Sequence, residues 1–496
     1  MTEPISRRKL LVAYRITASK CDACGRVYFP PKSFCDNEGR VSKMAAVDYF
    51  YEQGEFYSGS IISASTTQFK YLDRFLSGMV SFGDVMLPGR ITDYTPGPTD
   101  DFTGFIGRPM VPRFRRTYAD GHDGLVHYSS LNYTFADEYY PHQEYVEIQP
   151  SKETGRPGIV GYGAYIPKYR IRNEGGGVLG VKERTLPFAD EDTTTFSVEA
   201  GKRALIHAGL NSGYVKKCFV GSESPTYAVK PVMATVSQVL ELGEKHGGGF
   251  FSGGVDTQFA CKAATDLFID AAALVNFPAF GGEYVMVIGS DNSQAAPGDA
   301  LDHTVGAGAA AYIFGRRDVI ATLDHYVAYT SDTPDFYRRE GEKYPRHGGR
   351  FTGQPAYFKH VLTATRRVLE KAGLKPVDID YAIGHSPNGV FPQRALSQLG
   401  FTQEQLEPGL VARRIGNLYS GSCPTSLAGV LDVALPGDRI LMTAYGSGAG
   451  SDSYIFTVTE KILEKRGRAV PLMDQVESPY REYVDYAFYR KMKDSY

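Results

Sequence analysis

No run of about eighteen apolar residues occurs along this chain, so no membrane-spanning helix is expected. An excess of one charge is also missing. The 54 Lys and Arg residues face 56 Asp and Glu, and the net charge of −2 argues against a nucleic-acid-binding protein. Cysteine is scarce, with six in 496 residues. That is too few for a disulfide scaffold, and the expected compartment is the cytoplasm. The first residues, Met1 to Tyr14, join a short basic cluster to an apolar run too short for a signal peptide.

The length calls for two or three domains. Glycine is plentiful at 54 residues. Much of it lies in the loops Gly247-Gly-Gly-Phe-Phe-Ser-Gly-Gly254 and Gly446-Ser-Gly-Ala-Gly450, where backbone must pass close to a neighbour. To about residue 150 the chain reads as β-rich, in short alternating runs such as Gly54-Glu-Phe-Tyr-Ser-Gly-Ser-Ile-Ile-Ser, which fits a small barrel. This part opens with Cys21-Asp-Ala-Cys24 and then Cys35, a spacing that suggests a zinc ribbon. The fourth thiolate is missing, because Cys35 is followed by Asp36, Asn37 and Glu38. Either a carboxylate completes the site, with Glu38 as the candidate, or the site is degenerate. A redox knuckle fits less well, since no βαβ pattern surrounds it.

From Gly158-Ile-Val-Gly-Tyr-Gly-Ala-Tyr-Ile-Pro167 onward, helical stretches alternate with short apolar strands, the pattern of an α/β sheet protein. This part is internally duplicated. A helix ending Ala-Gly-Leu210 and a strand ending at Lys217-Cys-Phe-Val-Gly-Ser-Glu223 return as Ala-Gly-Leu374 and Ile379-Asp-Tyr-Ala-Ile-Gly-His385. Tyr284 to Asp291 mirrors Arg439 to Tyr445, and Gly306 to Phe314 mirrors Gly448 to Phe456. Duplicated α/β halves place equivalent strand-end loops around one pocket. Cys261 stands where a polar loop meets an apolar helix in the first half, and Asn417 to Leu431 is its counterpart in the second. A thiol at a helix start is easier to ionise, and the thiolate is the nucleophile. Each candidate also has a plain structural reading. Cys261 could be a small core residue, Asp190-Glu191-Asp192-Thr193 a helix cap, His385 a turn residue and Asn417 a cap. Cys218 and Cys423 read as core.

The linked motifs carry a family resemblance. They are Gly161-Tyr-Gly-Ala-Tyr-Ile-Pro167, Asp190-Glu-Asp-Thr193, Phe259-Ala-Cys-Lys-Ala-Ala264, Pro355-Ala-Tyr-Phe-Lys-His360, His385-Ser-Pro-Asn-Gly389 and Tyr445-Gly-Ser-Gly-Ala-Gly450. Over about 156–460 the chain resembles the thiolase superfamily, and within it the archaeal type of hydroxymethylglutaryl-CoA synthase. Its N-terminal part resembles acyl-CoA-associated proteins built of a rubredoxin-like zinc ribbon and an OB-fold.

The resemblance implies a duplicated, five-layer αβαβα fold preceded by a small β-rich domain. The implied boundaries are a ribbon segment over 1–45, an OB-fold barrel over 46–150, a first half over 156–330 and a second half with a helical, Tyr-rich tail over 331–496. It further implies Cys261 as the nucleophile for the acetyl group of acetyl-CoA, Glu191 as general base and His385 as the group polarising the acceptor ketone. Asn417, Ser422, Gly446, Gly448 and His360 are supporting residues, and Cys21, Cys24, Cys35 and Glu38 the zinc ligands. Coenzyme A enters as part of the substrates, acetyl-CoA and a β-ketoacyl-CoA. A homodimer is expected, with a partner thiolase docking on the fused module. A ketoacyl synthase III-like enzyme and a retro-aldol lyase acting on CoA thioesters are the alternatives. The Gly446 to Gly450 loop carries no second cysteine, which disfavours a thiolase.

Overall fold

The computed structural model describes residues 12–39, 41–64, 69, 72, 74–97, 99–119, 124–137, 140–448 and 450–494. The chain divides into two units. The smaller takes residues 1–145 together with Phe188–Glu191, and the larger takes Val146–Pro187 and Asp192–Asp494.

The smaller unit begins with strands β1 (Thr17–Cys21), β2 (Val27–Tyr28) and β3 (Met44–Asp48), paired in the order β2-β1-β3. Cys21 closes β1, which leaves the Cys-x-x-Cys turn beside the loop that carries Cys35. Strands β4 (Gly54–Ile62), β5 (Phe75–Ser81), β6 (Met86–Ile91), β7 (Pro109–Pro112) and β10 (Asn132–Phe135) close into a barrel. The period-two reading holds here. β5 buries Leu76, Gly78 and Val80 and leaves the residues between them half-exposed. Phe56, Leu76, Val80, Leu87, Ile91, Met110 and Tyr133 fill the interior. β8 (Arg115–Ala119) and β9 (Val126–Ser129) form a hairpin outside the barrel.

In the larger unit the duplication is written into one nine-stranded sheet. The first half contributes β11 (Gly158–Tyr165), β14 (Val215–Gly221), β17 (Gly253–Thr257), β18 (Tyr284–Asn292) and β19 (Ala307–Gly315). The second contributes β20 (Ala321–Thr330), β23 (Tyr381–Gly384), β24 (Arg439–Gly446) and β25 (Gly450–Val458). The order β17-β14-β18-β19-β11-β20-β25-β24-β23 is two copies of one pattern meeting at β11 and β20. The second copy has no counterpart of β17 among the described residues. The smaller pairings are β12 (Tyr169–Arg172) with β13 (Glu183–Leu186) and β26 (Glu482–Tyr483), β15 (Glu244–His246) with β16 (Gly249–Phe251), and β21 (Phe336–Tyr337) with β22 (Arg346–His347).

Two helices lie between the half-sheets. The Ser422–Leu431 helix is buried along its whole length and packs on strands of both halves. The Leu267–Asn276 helix packs on β18 and β19, while Phe268 meets Tyr454 of β25. Apolar residues on all sides make such helices core elements. The Thr193–Ala208 helix covers the first half from outside, and Phe358–Ala372 covers the second. These packings produce the α-β-α-β-α layering. No described helix is long and apolar enough to cross a membrane.

The helix following Cys261 starts later than its sequence suggests. It begins at Leu267, and Cys261 lies in a tight turn before it, preceded by Ala260 at φ +45°. A non-glycine residue in the left-handed region is strained, and such strain collects at functional turns.

Candidate active site

Strand β14 ends at Gly221, and the loop that follows projects Ser222, Glu223 and Ser224. The Glu223 carboxyl meets the Cys261 thiol side chain to side chain. Burial, with the charge of Asp291 second, raises the Glu223 pKa to about 8. Burial and then the Glu223 charge push the Cys261 thiol well above its usual value. The sequence expectation of an easily ionised thiol is thereby corrected. Cys261 lies short of the helix start, in a dry environment next to a carboxyl, so its proton needs an acceptor, and Glu223 stands in contact with it. Glu223 lines a cavity of about 320 Å³ whose walls also include Ala260, the residue before Cys261, with Gln294, Phe336, Arg338 and Tyr419.

Asp291, near the end of β18, fixes the geometry of that pair. Its Oδ1 accepts hydrogen bonds from Ser222 Oγ at 2.8 Å, Glu223 N at 2.8 Å, Ser224 N at 2.9 Å and Ser224 Oγ at 2.7 Å. Its Oδ2 accepts from Ser420 N at 2.8 Å. Ser420 Oγ in turn accepts from Ala264 N at 3.1 Å. One buried carboxylate therefore ties the Glu223 loop of the first half to the turn before the central helix of the second. Arg338 adds a tie from the cavity wall, donating to the Glu223 carbonyl at 2.7 Å.

His385 follows Gly384 at the end of β23, the place that Ser222, one residue before Glu223, holds in the first half. It is buried, its Nδ1 has no hydrogen-bond partner among the described residues, and burial lowers its pKa to about 3. The ring is thus neutral at working pH, with an unused polar atom. Tyr445 is the common neighbour of the pair and the histidine. Its ring centroid is 6.3 Å from that of His385, and the Cys261 charge acts on its hydroxyl. Tyr357 holds the histidine backbone by donating to the His385 carbonyl at 2.7 Å.

The supporting residues divide. A Cβ on Gly446 would lie 2.5 Å from the Phe259 carbonyl, so glycine there lets the loop press on the Cys261 turn. Gly448, at φ +87°, donates its N–H to Asp335 at 2.7 Å. Asn417 Oδ1 accepts from Tyr419 N at 2.9 Å, and Tyr419 packs against Cys261. Ser422 opens the central helix and is buried. His360 is already satisfied, with Nδ1 on the Ala356 carbonyl at 2.7 Å and Nε2 on Ser331 Oγ at 3.1 Å. It supports the site only through its ring contact with Tyr445. Lys262, beside the nucleophile in sequence, turns away to pair with Asp452 at 3.0 Å and to lie over the Phe259 ring.

Glu191 does not take the place the resemblance gave it. It lies in the smaller unit within a buried charge cluster, 3.2 Å from Arg115, which also pairs with Asp93 at 2.9 Å. Asp190 pairs with Arg90 at 2.5 Å and accepts from Thr92 Oγ1 at 2.6 Å. Asp192 is the helix cap that the plain structural reading describes, accepting from Thr195 N at 2.9 Å. The physical reason is local. An acidic run before a helix satisfies its N–H groups, and the remaining carboxylates are neutralised by Arg90 of β6 and Arg115 of β8.

In the ribbon, the thiol sulfurs of Cys21, Cys24 and Cys35 lie within 4.8 Å of one another, with 3.5 Å between Cys24 and Cys35. That donor set suits zinc, with one ligand fewer than a closed structural site. Glu38 is corrected. Its carboxylate is outside the cluster, and its backbone N–H instead donates to the Cys35 sulfur. Tyr28 Oη, 3.3 Å from that sulfur, is also in contact with it.

Comparison with known proteins agrees with this division. The family model described as ChsH2, rubredoxin-like zinc ribbon domain, matches residues 8–37. That of the 3-oxoacyl-[acyl-carrier-protein] synthase III C terminal matches 369–458. The hydroxymethylglutaryl-CoA synthase of Methanobrevibacter smithii is 47% identical over 348 residues, covering 68% of this chain and 98% of that protein. The chain belongs to the hydroxymethylglutaryl-CoA synthase family. The synthase of Methanopyrus kandleri is similar at 46% identity over 350 residues, 68% of this chain and 97% of its own length. About a third of this chain therefore lies outside the alignment to either synthase. Among solved structures, MvaS in complex with 3-hydroxy-3-methylglutaryl coenzyme A shares the fold at TM-score 0.62 and 23% identity, covering 68% of this chain and 92% of its own. An HMG-CoA synthase complexed with CoA does so at 0.60 and 20%, covering 68% and 90%.

Proposed function

We propose that this synthase condenses acetyl-CoA with acetoacetyl-CoA and water to give hydroxymethylglutaryl-CoA and CoA, through an acetyl group on Cys261. The observation that carries the reading is the contact of the Cys261 thiol with the Glu223 carboxyl, which lines a cavity, with His385 across Tyr445. Cys261 sulfur attacks the thioester carbonyl, its proton passes to Glu223, and CoA leaves as the thiol. Glu223, ionised again, removes a proton from the acetyl methyl group. The resulting enolate carbon attacks the acceptor ketone, whose oxygen is stabilised by hydrogen bonding to the His385 imidazole. Water then hydrolyses the thioester on Cys261. Holding the nucleophilic carbon on the protein saves the association entropy of the carbon–carbon step.

Rapid quench with radiolabelled acetyl-CoA tests this. A labelled protein that discharges into a new acyl-CoA on addition of acetoacetyl-CoA supports it. A retro-aldol lyase would give no labelled protein, and a ketoacyl synthase III-like enzyme would retain activity with His385 intact and Glu223 replaced.

Zinc belongs in the same proposal, held by the three ribbon thiolates. So does a homodimer paired along β17, an edge strand on which Val255 is half-exposed beside an exposed Phe251. The six free cysteines support a cytoplasmic setting. A partner thiolase that supplies acetoacetyl-CoA at the fused module completes the reading, and copurification checks it.

A further inference from the structure

The C-terminal helix Tyr486–Asp494 carries a buried ammonium group that the proposed chemistry leaves unused. This is Lys493. Burial and then the charge of Arg184 lower its pKa to about 7, against the opposing charges of Asp302 and Asp291. An ammonium in such surroundings is costly unless hydrogen bonds compensate it. Its Nζ donates to Asn292 Oδ1 and, at 2.6 Å, to the Ser293 carbonyl. The helix is itself pinned. Tyr486 and Tyr489 donate to the two oxygens of Asp302, each at 2.7 Å, and Arg184 lies over the Tyr489 ring at 4.3 Å.

Asn292 ends β18 and directly follows Asp291. From there contacts lead both to the base and to the nucleophile. Asn292 N donates to Ser224 Oγ at 3.0 Å. Ser224 Oγ donates to Asp291 Oδ1 at 2.7 Å, the atom that also accepts from Glu223 N at 2.8 Å. Two residues on, Gln294 lines the active-site cavity, and its carbonyl accepts from Tyr419 Oη at 2.7 Å. Tyr419 packs against Cys261. The segment from Asn292 to Gln294 therefore supports both reacting groups, and Lys493 grips it at two points.

We infer that Lys493 is a positioning residue for the condensation, holding the Asn292 to Gln294 segment so that the Ser224–Asp291 network presents the Glu223 carboxyl to the Cys261 thiol. The inference rests on the proposed role of Glu223 as base, and it gives the C-terminal helix a part in the reaction. Lys493 acts through Asn292 and Ser224. Displacing a reacting group by about 1 Å slows a reaction by up to about 100-fold, so the loss of a remote brace is felt in the rate.

The test follows Cys261 acetylation against acetyl-CoA concentration in the parent, K493M, E223Q and K493M/E223Q. Methionine keeps the length of the side chain and removes its donors. K493M lowers the maximal rate by about 10- to 100-fold and leaves the half-saturating concentration within about three-fold of the parent. In the E223Q background the same substitution changes the rate by less than about two-fold, because the lysine acts through the base. An equal drop in both backgrounds, or a parental rate in K493M, overturns the inference. N292A removes the acceptor and keeps the backbone N–H to Ser224. It repeats the pattern, and it decides the matter if K493M does not fold. Amide hydrogen exchange reads the brace without the chemistry. In K493M the Glu223 and Ser224 amides exchange at least about ten-fold faster than in the parent, while the Phe358–Ala372 helix keeps its protection. Unchanged exchange at Glu223 and Ser224 refutes the inference. Faster exchange there, together with a parental rate in E223Q, supports the brace and places the failure in the base reading.

Discussion

Replacing Glu223 by glutamine removes the base and leaves the shape, and it should make the protein slower and more stable at once. The folded state holds Glu223 at a pKa of about 8, above the 4.5 of an unperturbed glutamate. The protonated form is therefore the one the fold accommodates. Its contribution to stability is fully present below pH 4.5 and is lost as pH rises through 8. Glutamine cannot ionise and suffers no such loss. E223Q should match the parent near pH 4.5 and exceed it by up to roughly 5 kcal/mol above pH 8. Chemical denaturation at several pH values reads this difference. Over the same range the parent's rate of acetyl transfer should climb about ten-fold per pH unit and level off near 8, because only ionised Glu223 accepts the proton. E223Q should lose about 10²- to 10⁴-fold in that rate and lose the pH dependence with it. A variant with parental rate, or with a stability difference that does not grow with pH, would refute the assignment.

Other perturbations separate the remaining parts. E191Q should keep the acetylation rate within a few-fold, since Glu191 belongs to the Arg115 cluster, and its effect should appear in melting experiments. H385Q should still acquire the acetyl group but lose condensation by about 10²- to 10³-fold, read as label that stays on the protein after acetoacetyl-CoA is added. D291A strips the acceptor from five hydrogen bonds of the Glu223 loop and the Ser420 turn. It should destabilise the protein by at least about 3 kcal/mol and slow acetylation as the base loses its position. C35S should lower bound zinc, measured by elemental analysis, and unchanged metal content would remove zinc from the ribbon.

The fold was legible because its causes repeat. Alternation of buried residues marks the barrel strands, and the paired motifs ending at Glu223 and His385 anticipate a sheet built of two like halves. The same mirror could have located the base. Glu223 and His385 follow equivalent strand-end glycines, Gly221 and Gly384, so the duplication that singled out His385 also pointed at its partner. Glu191 drew attention through an acidic motif whose local duty, capping by Asp192, was already a sufficient explanation. What made Glu191 structural is its pairing with Arg115, far earlier in the sequence but in the same smaller unit, and no local pattern reports that. The thiol was misjudged for a similar reason. Its pKa depends on where the helix begins and on the carboxyl packed against it, both settled by tertiary contacts. Glu38 failed because the knuckle turns its backbone N–H toward Cys35.

Intact-mass measurement after brief exposure to acetyl-CoA tests the central claim most directly. Parent and E191Q should each gain about 42 Da, the mass of one acetyl group replacing the thiol proton, with C261A gaining nothing and E223Q gaining it slowly. An adduct that persists in C261A, or one that forms at the parental rate in E223Q and fails in E191Q, would contradict the account.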